Sequence, residues 1–497
     1  MHSRTIVVGA CLFLGILTVY VGSLAPGVSW GDSARLALDT REVQYRFDPA
    51  GGHPLHAMLG KLFNSINIAT IAYRENIGSA VFGALSVVTL FLFLRCIGIN
   101  FVACLCSSIM FGLSHMFWLL STLNEHYTLG IFLVSVQVLM LAQWWKTGKR
   151  YFLYLGSFLL GLSLCNNLAP AFYVPAYLWA IFAWERRLLK DWKVLSYILA
   201  SFLLGLIPWV FIYLSIPAQA RPPVNLNTLL LQYGWTIDRE RFGRSLVEYA
   251  AYLFYQFPLF GFIFGIVGLN ATLRRKRRLF VFIALAFIVN VIFASTYMRQ
   301  RSFNIWTFSS LPFAIWIAFG LENILVRYRA RERTLVIVLF FVLLIGPVGY
   351  FFAPRIAKTL KVPLGTVRIL HWRDNYSYYL WPGKRTEYGA YQYAWNVFRD
   401  VKPDAVVLAD YNPVMPLLYV QRVDGKRQDI QFALRIDEFY RSGDHTGNIM
   451  RFLDENYGNR PLYLADDYQP YYRTDVISKK YDIIPEGALF RIREKRL

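Results

Sequence analysis

The sequence is short of cysteines and of polar residues. It contains five cysteines in 497 residues, none after Cys165, and all lie in or beside apolar runs. This arrangement offers neither a disulfide framework nor the ligand spacing of a zinc site. Polar residues are scarce because 56% of the residues are hydrophobic and 17% are aromatic. That composition excludes a single soluble domain and is typical of a membrane protein.

Acidic residues are also few, which leaves a large positive charge. There are 52 lysines and arginines against 31 aspartates and glutamates, giving a net charge of +21. In a soluble chain this charge would suggest a nucleic-acid ligand. Here much of it lies in short clusters between apolar runs, as in the cytoplasmic loops of membrane proteins. We therefore predict membrane lipid as a partner and no nucleic acid.

Eleven apolar runs predict a polytopic α-helical membrane protein. They cover residues 6–24, 77–94, 101–120, 129–145, 153–165, 169–184, 194–216, 246–271, 279–297, 305–321 and 335–353. Two of them, 153–165 and 169–184, are short for a perpendicular span, which needs about 20 residues, and are interpreted as a tight hairpin or a partly re-entrant segment. The first run lacks a convincing cleavage site and is interpreted as a retained span.

The basic clusters predict which side each loop occupies. With eleven spans and a cytoplasmic N-terminus, all the clusters fall on the cytoplasmic side. They are Arg95, 146–150, 186–193, 274–278 and 327–333. Adding or removing one span would scatter them over both sides. The same count places the region after residue 353 outside the cytoplasm.

After the last apolar run the pattern changes to that of an α/β domain. Short apolar strand candidates at 405–408, 430–433, 461–464 and 488–491 alternate with helical stretches at 388–401, 416–422 and 449–457. We predict a membrane module over residues 1–353, including a first outer loop at 25–76, and an extracytoplasmic α/β domain over 354–497. No Gly-rich phosphate loop precedes these helices, so a nucleotide-binding role is not predicted.

Four polar stretches are predicted on the outer face. They are the loop containing Asp32, the triplet Asn124-Glu125-His126, the loop 217–244, and Arg299-Gln300-Arg301. Each has a simpler structural interpretation: Asn124 is a candidate helix cap, and Arg299 and Arg301 are candidates for snorkelling at a helix end. Their convergence on one face favours a functional site.

The order of several short motifs resembles a known family. The motifs are Trp30-Gly31-Asp32-Ser33, His53-Pro54, Arg74 with Asn76, Ser79 and Ala80, and Glu125 with Tyr127 and Leu129, followed by 402–411 and 419–429 near the C-terminus. The sequence is similar to the multi-span protein O-mannosyltransferase-like family of GT-C glycosyltransferases. The family commonly has a second acid where this chain has Arg35, and His-Pro-Pro-Gly where this chain has His53-Pro54-Leu55-His56.

The resemblance implies inverting transfer of a sugar from a polyprenyl-phosphate donor to an acceptor hydroxyl, with Asp32 as general base. A lipid phosphate is a good leaving group, so a base for the hydroxyl and cations for the phosphate suffice. Arg74, Arg299 and Arg301 are the predicted phosphate ligands. Further site candidates are His53, Glu125, His126, Tyr127 and Arg35. No metal or other cofactor is implied.

Other interpretations stay open at this stage. Asp32 is also a candidate N-cap for a helix starting at Ser33. Asn166, Asn167 and Asn290 fit the interrupted helices of a transporter or flippase of lipid-linked glycans, although no internal repeat is visible. Arg35 in place of an acid leaves room for a non-catalytic scaffold. The acceptor is predicted only as a protein, a lipid or a glycan.

Overall fold

The computed structural model describes residues 3–42, 53–215, 239–296, 303–328, 332–364, 368–434 and 444–495. Up to residue 359 all the regular secondary structure of the described chain is helical. The helices are Ser3–Gly22, Asp32–Glu42, Pro54–Asn64, Ile71–Cys96, Phe101–Gly112, His115–Leu120, Tyr127–Thr147, Tyr151–Leu164, Val174–Glu185, Trp192–Gly205, Ile207–Ser215, Arg239–Gln256, Phe260–Arg275, Arg277–Thr296, Phe303–Arg327 and Glu332–Thr359, with 3₁₀ turns at Ala169–Tyr173 and Arg186–Lys190.

Six of these helices are long and apolar enough to cross a membrane, or eight if each of two bent pairs counts as one span. The six are Arg4–Gly22, Ile71–Cys96, Tyr127–Thr147, Arg277–Thr296, Phe303–Arg327 and Arg333–Thr359. Their length and composition are those of an integral membrane protein. Eleven spans therefore stays a prediction.

Several of the predicted runs are not single straight helices; among them, 194–216 lies in Trp192–Gly205 and Ile207–Ser215, bent by 45°. The run 246–271 lies in two helices, Arg239–Gln256 and Phe260–Arg275, bent by 110° relative to each other. The break contains Pro258, which cannot donate a helical hydrogen bond and restricts the residue before it. The run 101–120 is likewise divided, since helices end at Gly112 and begin again at His115.

The helix Phe303–Arg327 lies at the centre of the membrane module, and 78% of its apolar stretch is buried. Glycines allow the helix Phe260–Arg275 to approach it closely. A Cβ atom at Gly268 would lie 1.7 Å from the carbonyl oxygen of Trp316, and one at Gly320 would lie 2.0 Å from that of Phe264. Small residues at such crossings let helix backbones touch, which is how membrane helices gain packing contacts.

The last part of the chain forms a five-stranded mixed sheet. The strands are β1 Val406–Ala409, β2 Gln431–Leu434, β3 Leu462–Leu464, β4 Tyr481–Glu486 and β5 Leu489–Glu494, and their order in the sheet is β2-β1-β3-β5-β4. The helices of this part are Asn375–Leu380, Gly389–Asp400, Tyr411–Val423, His445–Asn456, Gln469–Tyr472 and Thr474–Lys480. Strands β1, β2 and β3 run parallel, and β5 pairs antiparallel with β3 and β4. Four strands overlap the predicted segments. β4, an edge strand that contains Pro485, was not predicted from the sequence.

The sheet and the first outer loop share one hydrophobic core. Buried Val28, Trp30, Ala34 and Leu38 pack in the same cluster as the residues of β1 and its helices. The ring of Trp30 lies 5.4 Å from that of Tyr393. The boundary predicted after residue 353 falls inside the helix Glu332–Thr359. This packing places Asp32 where the membrane helices meet the sheet unit, which we define as residues 368–495.

Candidate active site

Asp32 is the first residue of the helix Asp32–Glu42. Gly31 precedes it with a φ of +58°, a conformation that favours glycine. The carbonyl of Gly31 accepts the first helical hydrogen bond, from the amide of Arg35 at 3.1 Å. Within the described part of the chain, the Asp32 carboxylate accepts its hydrogen bond from the Tyr411 hydroxyl, at 2.5 Å. The helix thus begins one residue earlier than the N-cap interpretation of Asp32 requires.

Arg35 provides a fixed positive charge beside Asp32. It lies one turn along the same helix and pairs with Asp39, with 3.5 Å between Nε and Oδ2. Burial lowers the pKa of Arg35, but the neighbouring Tyr411, Asp39 and Asp32 outweigh it and raise this pKa above its ordinary value. The guanidinium therefore stays charged next to the carboxylate.

Glu125 and His126 lie in the loop before the helix Tyr127–Thr147, and both are buried. Burial and the charge of Asp32 raise the pKa of Glu125, so this second carboxyl is protonated more readily than a free one. Burial, helped by His53, His56 and Arg35, lowers the pKa of His126. In the described ranges, both ring nitrogens of His126 and the Glu125 Oε2 lack a hydrogen-bond partner.

Stacking brings His53 onto this loop. The rings of His53 and His126 are parallel within 13° with centroids 3.7 Å apart, and Tyr127 lies 4.1 Å from His126. His53 Nδ1 donates to the carbonyl of Asn166 at 2.5 Å, and the Asn166 side chain donates to the carbonyl of His126 at 2.8 Å. Asn166, a candidate for an interrupted transporter helix in the sequence, thus holds two site residues in place.

A buried polar network supports the same loops and was not predicted. The Asn124 amide donates to Glu75 Oε2 at 2.5 Å, and Asn64 donates to Glu75 Oε1 at 2.8 Å. His56 Nε2 donates to Asn124 Oδ1 at 2.9 Å. Burial lowers the pKa of His56 to about 4, so the ring is neutral at physiological pH. Asn124 therefore joins the helices Pro54–Asn64 and Ile71–Cys96 rather than serving only as a cap.

Of the three predicted phosphate ligands, the structure describes Arg74, whose donors are mostly occupied. The Arg74 guanidinium donates to its own loop, at the carbonyls of Ile68, Asn64 and Ala69 and the side chain of Asn67, over 2.6–3.2 Å. These bonds use its donors to fix the turn between two helices. Arg299 and Arg301, and residues 217–238, lie outside the described residues. Among the described cations, Arg35 lies beside Asp32 and interacts with its charge.

Tyr411 is the site residue that sequence reasoning missed. It begins the helix Tyr411–Val423 of the sheet unit, 379 residues after Asp32. Burial and the Asp32 charge raise the pKa of Tyr411 well above its ordinary value, so the phenol stays protonated and donates. The sequence feature that points to Tyr411 is its place, after Asp410, in the C-terminal stretch that resembles the family. Asp32, Arg35, Glu125 and Tyr411 together can hold a hydroxyl and accept its proton.

Sequence comparisons confirm the predicted resemblance. The family model of the protein O-mannosyl-transferase TMEM260 N-terminal domain matches residues 46–190. Protein O-mannosyl-transferase TMEM260 of Mus musculus is 24% identical over 459 residues, covering 85% of this chain and 62% of that protein. The corresponding protein of Dictyostelium discoideum is 24% identical over 234 residues, covering 43% of this chain and 28% of that protein. The chain thus spans less than two thirds of either relative.

A solved structure shares the fold over the whole chain. ArnT from Cupriavidus metallidurans, bound to undecaprenyl phosphate, superposes with a TM-score of 0.59 and covers 99% of this chain and 98% of its own. The two sequences are 13% identical, so the likeness concerns the fold. The fold of this chain, membrane helices followed by the sheet unit, is therefore similar to that of ArnT.

Proposed function

We propose that this chain is a membrane glycosyltransferase that moves a sugar from a polyprenyl-phosphate donor to an acceptor hydroxyl. The observation that carries the proposal is the exposed Asp32 carboxylate, held between Arg35 and Tyr411 where the membrane helices meet the sheet unit. At this boundary a donor with a lipid tail would meet the acceptor hydroxyl. The names of the relatives support glycosyl transfer and make mannose the first sugar to test.

In the proposed reaction Asp32 accepts the proton of the acceptor hydroxyl. The hydroxyl oxygen attacks the anomeric carbon, and the bond from that carbon to the lipid phosphate breaks on the opposite face, which inverts the configuration. The electron pair of the broken bond leaves with the phosphate, so no strong acid is required. Arg35, the cation described beside Asp32, is proposed to stabilise this charge. Arg299 and Arg301 remain further candidates.

We also propose the orientation predicted from the basic loops. The N-terminus and the basic cluster at 274–278 face the cytoplasm, while Asp32 and the sheet unit face the other side. The contact between Tyr411 and Asp32 supports one part of this, because it requires the sheet unit and the first outer loop to share a side. The basic clusters support the other part.

The decisive experiment is Asp32→Asn in the purified protein with a defined polyprenyl-phosphate mannose. Asn keeps the size of the side chain but cannot accept the proton, so we expect transfer to fall about 100-fold or more while donor binding persists. Asp482→Asn is the matched control, because Asp482 is exposed on β4 in the sheet unit. Product is measured by mass.

Full activity of Asp32→Asn would exclude Asp32 as the general base. Donor movement across vesicles without any glycosylated product would instead favour the flippase interpretation. Binding of donor without transfer by the parent protein, whichever acceptor class is offered, would favour a scaffold.

A further inference from the structure

We infer that Tyr411 is a positioning residue for the transfer reaction, through the hydrogen bond from its hydroxyl to the Asp32 carboxylate. This inference rests on the proposed function and extends the site to the sheet unit. It assigns to the sheet unit a direct part in orienting the base, in addition to any part in acceptor binding.

The contact leaves room for an acceptor. The Tyr411 hydroxyl donates to Asp32 Oδ1 at 2.5 Å, whereas Asp32 as a whole is exposed. An ionised carboxylate offers about four lone-pair sites on its two oxygens, and one phenol occupies one of them. The acceptor hydroxyl can therefore use another site on a carboxylate whose rotation is already restricted. Catalytic groups held in the productive orientation gain rate because less freedom is lost in the reaction.

The N-terminal end of the Tyr411 helix is itself firmly held. Asp410 caps this helix through the amide of Asn412, at 3.2 Å. The Asp410 carboxylate is buried and accepts two hydrogen bonds of 2.7 Å from one nitrogen of Arg368 and one of 2.6 Å from the Tyr472 hydroxyl. Tyr411 therefore projects from a fixed backbone position toward Asp32.

Two further contacts dock the same helix on the first outer loop. The side chain of Asn412 packs against Gly31 so closely that a Cβ atom there would lie 2.8 Å from Asn412 Oδ1. The Tyr419 hydroxyl, two turns later, accepts a hydrogen bond from the Ala72 amide at 3.1 Å. The helix thus meets the loop at both of its tyrosines, but Tyr411 alone of the two bonds to Asp32.

This pair of tyrosines gives a matched test. Tyr411→Phe and Tyr419→Phe each remove one tyrosine hydroxyl, from the same helix and at the same interface. We expect Tyr411→Phe to lower kcat about 10-fold with little change in acceptor KM or donor binding, because orientation of the base is lost but its chemistry is not. Tyr419→Phe should keep kcat within about 2-fold, since it affects a backbone contact remote from the base.

A second measurement asks whether Tyr411 acts through Asp32. In an Asp32→Asn background, Tyr411→Phe should cause no further loss of residual transfer, because the group that it orients no longer takes the proton. Equal losses in both backgrounds would overturn the inference and leave a general structural role. Equal activity of Tyr411→Phe and Tyr419→Phe, with Asp32→Asn inactive, would overturn the inference and leave the proposed function intact. Full activity of Asp32→Asn would overturn both.

Discussion

Replacing Arg368 by Met tests the ion-pair network behind the candidate site. The Arg368 side chain is 9% exposed, and its partners Asp410 and Asp466 are 1% and 11% exposed. Arg368 donates twice to Asp410 at 2.7 Å and through Nε to Asp466 at 3.1 Å. Met fills a similar volume without charge, so the substitution leaves two carboxylates close together without their shared cation.

The expected cost follows from this burial. Removing one partner of a buried ion pair typically costs about 3–5 kcal/mol, because the remaining charge stays desolvated. The Tyr472 hydroxyl still donates to Asp410, and the Tyr468 amide to Asp466, which favours the lower end of that range. A loss of about 3 kcal/mol would lower the melting temperature by roughly 10 °C for a unit of this size unfolding on its own.

Thermal unfolding of the detergent-purified protein measures this effect, with Arg399→Met as the matched control. Arg399 pairs with Asp400 at 2.7 Å, but its side chain is 72% exposed, so its loss should leave the melting temperature unchanged. Adding Asp410→Asn to Arg368→Met should restore part of the stability, because it removes one of the uncompensated charges. If Arg368→Met melts like Arg399→Met, the network does not hold the Tyr411 helix as described.

Two further predictions concern pH and orientation. Burial holds the pKa of His56 at about 4, below its ordinary value near 6.5. Between these two pH values the unfolded chain binds more protons than the folded one, so the free energy of unfolding should fall as pH is lowered from 6.5 to 4. His56→Gln should flatten that part of a melting-temperature profile, and an unchanged profile would exclude His56 as the cause. In a cysteine-free parent, Arg493→Cys in the sheet unit and Arg275→Cys in the basic loop should react with a membrane-impermeant thiol reagent from opposite sides. Labelling of both from one side would contradict the proposed orientation.

Features that depend on local composition and periodicity could be predicted from the sequence. Long apolar runs predict membrane helices, and six helices of the structure satisfy that expectation by length and hydropathy. Alternation of short apolar strands with helical stretches predicted four of the five strands. The motif around Asp32, together with the order of the later motifs, predicted the family resemblance and selected Arg35, His53, Glu125 and His126 as neighbours of the site.

Which of these side chains contact each other depends on the tertiary structure. Arg74 was assigned to a phosphate from its charge, but the fold gives its donors to nearby carbonyls, a choice that no local pattern records. The stack of His53 on His126 and the bond of Tyr411 to Asp32 join residues distant in sequence. Periodicity specifies which face of an element is apolar, whereas contacts between elements depend on how those faces pack. Some residues of the site could therefore be predicted from the sequence. The contact between Tyr411 and Asp32 depends on the packing of the sheet unit on the first outer loop.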